Sequence, residues 1–152
     1  MLIVGPTSCG KTTFLKRLLL ENRDVFSNPP TRVYYCYGSW QPSFDEMKSH
    51  GVTFVCGVPK EDEIKEWLGD GRGGVLVLDD LMSKGGDDLA ILNLFTQHSH
   101  HLNVTVCYLC QDMFPSGKFA KTISRNAQYI VAFKNPRDKV GLRNLLLQMY
   151  PT

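Results

Sequence analysis

A chain of 152 residues with 43% hydrophobic and 21% charged residues suits one globular domain with a real core. Its net charge of +2 excludes a global field for nucleic acid, so any such contact must come from local basic patches. The 5 cysteines (Cys9, Cys36, Cys56, Cys107 and Cys110) are odd in number and follow no secretory segment, which points to free thiols in a reducing, intracellular compartment. No apolar run approaches the roughly 20 residues a membrane helix needs, so no membrane is expected.

In chain order, strand and helix signals alternate almost throughout. Leu2, Ile3 and Val4 predict a short buried strand, with a glycine loop behind it. Residues 11–21 place Phe14, Leu15, Leu18 and Leu19 on one helical face. After the break at "SNPPT", the β-branched and aromatic run 32–38 predicts a strand, and 43–50 a short helix opened by Ser43 as a cap with Glu46 three residues on. Residues 52–57 predict a strand, and 59–68 a helix with proline and acids in its first turn. The run "GGVLVLDD" (73–80) is apolar until two carboxylates, the mark of a strand buried on both faces of a parallel sheet. Then follow a helix over 87–101, a strand over 103–111, a helix over 117–127, a strand over 128–133 and a closing helix over 137–150. This alternation implies βαβ units with right-handed crossovers in one domain spanning residues 1–152. Met1 stands just ahead of a strand, so the expectation is a domain lacking an amino-terminal extension.

Gly5-Pro6-Thr7-Ser8-Cys9-Gly10-Lys11-Thr12 fits G-x-x-x-x-G-K-[ST] at every fixed position, between the strand and the helix its mechanism requires. Glycines let the backbone wrap an anion with its N–H groups inward, and the helix N-terminus adds partial positive charge. Lys11 is expected at the β- and γ-phosphates of ATP, the Thr12 hydroxyl on Mg2+, and Thr13 at a phosphate nearer the sugar. Cys9 reads as a small filler within the loop.

A phosphate loop needs a second carboxylate for the metal, and Asp79 ends the apolar run where that acid belongs. Asp80 beside it can polarise the attacking water as a general base. Gln111 ends another buried strand; ligands lie outside the carboxyl ends of parallel strands, so its amide is expected at the γ-phosphate. Cys107 and Cys110 have C-x-x-C spacing, yet on a strand they face opposite sides, so they read as core cysteines and not a zinc pair.

Together with the phosphate loop, the stretches "LVLDD", "FTQHSHHLNVTVCYLCQDMFP", "ISRNAQYIVAFKNPRDK" and "QMYP" resemble the DNA-packaging ATPases of large eukaryotic DNA viruses and virus-like transposons. These are the poxvirus-type, Polinton and adintovirus enzymes of the FtsK/HerA superfamily, and the resemblance covers roughly residues 1 to 151. It implies an α/β P-loop NTPase three-layer sandwich with a mainly parallel central sheet of five strands. In that sheet the strand bearing the sensor Gln separates the phosphate-loop strand from the Walker-B strand. It implies a homo-oligomeric ring, hexamer or pentamer, that hydrolyses ATP with Mg2+ to push double-stranded DNA into a capsid. Capsid proteins are then partners, and the host nucleus, a cytoplasmic virus factory or the virion the location. Carried over by position, Gly10, Lys11 and Thr12 match Walker A, Asp79 and Asp80 match Walker B and its catalytic neighbour, and Gln111 matches the sensor. Such rings need an arginine finger from a neighbouring subunit, for which Arg125 is the first candidate and Arg137 the second. Lys84, Lys118 and Lys121, in the loops after the Walker-B and sensor strands, are the candidates for DNA contact.

Two other classes share the phosphate loop. A small-molecule kinase needs an acceptor pocket and an arginine-rich lid, and the loops "MSKGGDDL" and "DMFPSGKFAK" are short and poor in arginine. A nucleotide-binding signalling switch would hold its nucleotide tightly and show little response to DNA.

Overall fold

The computed structural model describes residues 1–21, 23–27, 29–81, 89–93, 99–112, 122 and 125–151. Six strands within these residues form one sheet: β1 (Leu2–Val4), β2 (Val33–Tyr37), β3 (Thr53–Cys56), β4 (Gly74–Asp79), β5 (Val104–Cys110) and β6 (Ile130–Ala132). Their order is β3-β2-β4-β5-β1-β6, and every neighbouring pair is parallel. The sheet thus has six strands where the resemblance implied five. β5 lies between β1 and β4, as expected for the sensor strand.

Alternation along each strand divides the core between two faces. On one face Ile3, Tyr35, Val75, Val77, Cys107 and Leu109 pack with Leu15, Leu18 and Leu19 of helix α1 (Lys11–Leu20) and with Phe44 and Met47 of α2 (Phe44–Ser49). On the other, Leu2, Val4, Leu76, Leu78, Val106, Tyr108 and Cys110 pack with Ile64 and Leu68 of α3 (Glu61–Leu68). Leu92 of α4 (Leu89–Asn93), Leu102 of α5 (Ser99–Leu102) and Leu145 of α6 (Lys139–Met149) extend that second layer. The result is the three-layer α/β sandwich that the resemblance implied. Cys107 and Cys110 fall in opposite layers, and burial pushes their thiols up to about 11 and about 12.

Some local expectations change. Ser43 does not cap α2 through its side chain: Phe44 and Asp45 donate to the carbonyls of Gln41 and Pro42 at 3.0 and 3.2 Å, so a turn already satisfies the first N–H groups. The reciprocal contact occurs one helix later, where Glu63 accepts from the Lys60 N–H at 3.1 Å. Of the helix expected over 87–101, two pieces (α4 and α5) lie within the described residues, and the helix expected over 117–127 lies mostly outside them. Lys84, Lys118 and Lys121 also lie outside the described residues.

Candidate active site

The phosphate loop leaves β1 and enters α1 with its first residue tied to the sheet and a turn closed within it. The Gly5 N–H donates to the Cys110 carbonyl at 3.1 Å, and Cys9 donates to Pro6 at 3.3 Å. Two glycines are structural requirements here. Gly10, the residue before α1, has φ 104, a left-handed conformation that side chains resist. A Cβ on Gly5 would lie 2.6 Å from Cys9 Sγ and 2.7 Å from Phe133 Cβ. Phe133, at the end of β6, packs edge-on against Phe14 with ring centroids 6.1 Å apart, and so clamps the loop to the sheet. The Lys11 ammonium lies over the loop, donating to the Gly5 carbonyl and to Pro6 O at 3.1 Å.

Asp79 closes β4 on the α1 face, since Val75 and Val77 face α1 and Leu76 and Leu78 face away. It is 7% exposed, the buried charged residue among the described ones. Burial pushes its carboxyl above the usual range; the Tyr35 hydrogen bond and the Lys11 charge pull it down, and the Asp80 charge pushes it up. Tyr35 donates its phenolic proton to Asp79 Oδ2. The two are brought together by strand register: Tyr35 pairs with Val77, so Asp79 is the next residue along β4 on the same face. Asp80 ends the regular strand. Its N–H still donates to Leu109 O at 3.1 Å, but its φ of 54 turns the chain and leaves the side chain exposed.

These residues meet in one cavity of about 360 Å³. Its lining includes Thr7, Ser8, Cys9, Gly10, Lys11, Thr12 and Thr13 from the loop, Asp79 and Asp80 from β4, and Gln111 from just beyond β5. Gln41 and Ser43, from the turn between β2 and α2, complete the wall. A larger, mostly apolar cleft of about 800 Å³ lies beside it under α6 and shares Gln111. Lys11, Asp79 and Asp80 line the smaller cavity and not the larger one.

The donor set fits Mg2+. The Thr12 hydroxyl and the Asp79 carboxylate are hard oxygen ligands, and a divalent cation offsets the cost of a buried carboxylate. Among the described residues no three His, Cys, Asp or Glu side chains cluster to hold a metal ion.

The arginine candidates separate. Arg137 follows β6 at the carboxyl end of the sheet, the end that carries the phosphate loop. Arg125 precedes β6; the adjoining Asn126 and Ala127 line a cavity with Met1, Asn103 and Val104 at the amino ends of the strands. The structure does not bring Arg125 to the phosphate cavity of its own chain.

Sequence reasoning did not find Tyr35, Gln41 or Phe133, and assigned Ser43 to a helix cap. Tyr35 carried one signal: a tyrosine inside an apolar strand needs a partner for its hydroxyl. Naming that partner requires the pairing of β2 with β4, which no local pattern encodes.

The chain matches no protein-family model and no curated protein. Among solved structures it is similar to the genome packaging NTPase B204 from Sulfolobus turreted icosahedral virus 2. In complex with sulfate, that protein superposes with TM-score 0.58 at 17% identity over 93% of this chain and 76% of that one. In complex with ATP-gammaS the TM-score is 0.57 at 15% identity, over 99% and 80%. In complex with AMP it is 0.54 at 16% identity, over 98% and 80%. The likeness establishes a shared fold.

Proposed function

We propose that this chain is an ATPase that moves double-stranded DNA, packaging a viral or virus-like genome into a capsid. The observation that carries the reading is the single cavity in which the phosphate loop, the paired acids and a strand-end glutamine converge. The likeness to a genome packaging NTPase solved with ATP-gammaS and AMP supports it.

In this reading Lys11 holds the β- and γ-phosphates, and loop N–H groups and the α1 N-terminus bind the rest of the anion. Thr12 and Asp79 hold Mg2+, which when bound neutralises charge on the transferred phosphoryl group. Asp80 accepts the proton of the attacking water, and the Gln111 amide orients that water against the γ-phosphate. The exposed side chain that φ 54 gives Asp80 suits a group that must reach solvent water.

Subunits assemble as a hexameric or pentameric ring, with Arg125 or Arg137 entering a neighbour's cavity. Lys84, Lys118 and Lys121 line the DNA path, and capsid proteins receive the ring inside the infected cell. A mixing experiment tests the ring. A finger is worth about 10³-fold or more in rate, so an Arg→Ala subunit and a Lys11→Ala subunit, each inactive, recover activity together if one intact interface forms. No recovery at any ratio with Arg125→Ala, while both proteins assemble, transfers the role to Arg137; no recovery with either removes the trans finger. Duplex binding should weaken steeply with salt, by about 0.9 in log–log slope per phosphate contacted.

A further inference from the structure

We propose that Tyr35 is the positioning residue of the metal site: its phenol pins one oxygen of the Asp79 carboxylate and aims the other at the cation. The inference rests on the ATPase reading above and deepens it.

Tyr35 is fully buried. Its ring packs against the stacked pair Phe44 and Phe54, at centroid distances of 4.8 and 4.9 Å, so packing fixes where the hydroxyl sits. A buried hydroxyl needs a partner, and this one donates to Asp79 Oδ2. β2 and the end of β4 are thereby tied at one oxygen. The phenol spends its proton on Oδ2, so Asp79 Oδ1 remains to face a hard cation such as Mg2+ in the cavity that Thr12 also lines. Outer partners of this kind hold the ligands in register and typically change metal affinity or activity by about 10- to 100-fold when removed. The sequence specifies Thr12 and Asp79; the β2 tyrosine fixes how Asp79 is presented to the cavity.

Tyr35→Phe tests this, because it keeps the packed ring and removes one oxygen. Calorimetry with ATP-gammaS is run in EDTA and across a Mg2+ series. The variant should match the wild type in EDTA and need about 10-fold more Mg2+ to reach tight binding. In turnover, KM for Mg2+ should rise while kcat at saturating Mg2+ holds. In an Asp79→Asn background, Tyr35→Phe should add nothing to the Mg2+ requirement. An equal Mg2+ requirement in variant and wild type, an equal loss of affinity in EDTA and Mg2+, or additive losses with Asp79→Asn would each overturn the proposal. An arm on the wild type follows the Tyr35 hydroxyl proton by NMR: Mg2+ added to the ATP-gammaS complex should shift it, and an unmoved resonance also overturns the proposal. A wild type that gains nothing from Mg2+ sinks the ATPase reading as well. A responsive wild type beside an equally responsive Tyr35→Phe sinks this inference alone.

Discussion

At the amino end of β2, Asp70 meets a guanidinium; at its carboxyl end, Asp79 meets a phenol. Arg32, the residue before β2, donates to both Asp70 oxygens at 3.0 and 2.8 Å, to Trp67 O at 3.0 Å and to Gly73 O. Its hydrogen bonds, followed by that of the Arg72 N–H, hold the Asp70 carboxyl below the usual range. Such a group stabilises the fold above its unfolded pKa, near 4, and loses that contribution as pH falls through the lower folded value. Asp79 behaves in the reverse sense. Burial raises it, so its contribution is full in acid and is lost as pH rises through the folded value. One end of the strand is a clasp whose charges answer each other. The other keeps a costly anion whose partner is neutral, with cavity space beside it. In the proposed ATPase, a cation and nucleotide would recover on binding the stability sacrificed at the second end.

Five substitutions can break or sharpen this contrast. The largest effect should come from Lys11→Ala, which removes the ammonium over the loop: phosphate release should fall by about 10³-fold or more, and calorimetry should find ATP-gammaS binding greatly weakened. Unchanged turnover would mean that the cavity is not the site. Next, Asp80→Asn and Gln111→Ala should bind Mg-ATP yet hydrolyse it about 10²-fold more slowly, as single-turnover kinetics would report. Lost affinity instead would assign them to binding or structure.

At the clasp, Arg32→Ala should cost about 1 kcal/mol in denaturant melts while leaving the nucleotide Kd alone, because it strips two backbone carbonyls of a half-buried donor. A changed Kd would couple the two ends of β2. The smallest effect is the most diagnostic. Asp79→Asn keeps an acceptor for Tyr35 and removes the buried charge, so the unliganded variant should be more stable by about 1 kcal/mol near neutral pH, or ~2–4 °C in Tm. That gain should vanish as pH falls below about 4, where the wild-type carboxyl is neutral in both states. A variant less stable than the wild type at pH 7 would show that Asp79 belongs with Asp70 as a structural acid.

Much of this was legible before any coordinates. The phosphate loop is a local motif whose spacing states its own geometry, and the apolar run into Asp79 and Asp80 marked both a buried strand and its functional end. All six expected strands form, trimmed by a residue or so at their ends. What stayed hidden depends on pairing across the sheet. The place of β5 between β1 and β4 followed from the resemblance alone, since nothing in 104–110 says which strands it joins. Tyr35 looked like one more apolar aromatic until its register with Val77 put it beside Asp79. Ser43 satisfied a capping rule that Gln41 and Pro42 had already met, which freed it to line the cavity.

The central claim is that this cavity turns over ATP to drive DNA, and steady-state phosphate release from Mg-ATP with and without duplex DNA tests it most directly. The account predicts measurable hydrolysis by the assembled chain, stimulated by duplex of any sequence and absent in Lys11→Ala. Tight nucleotide binding with negligible turnover and no response to DNA would contradict it and put the signalling switch in its place.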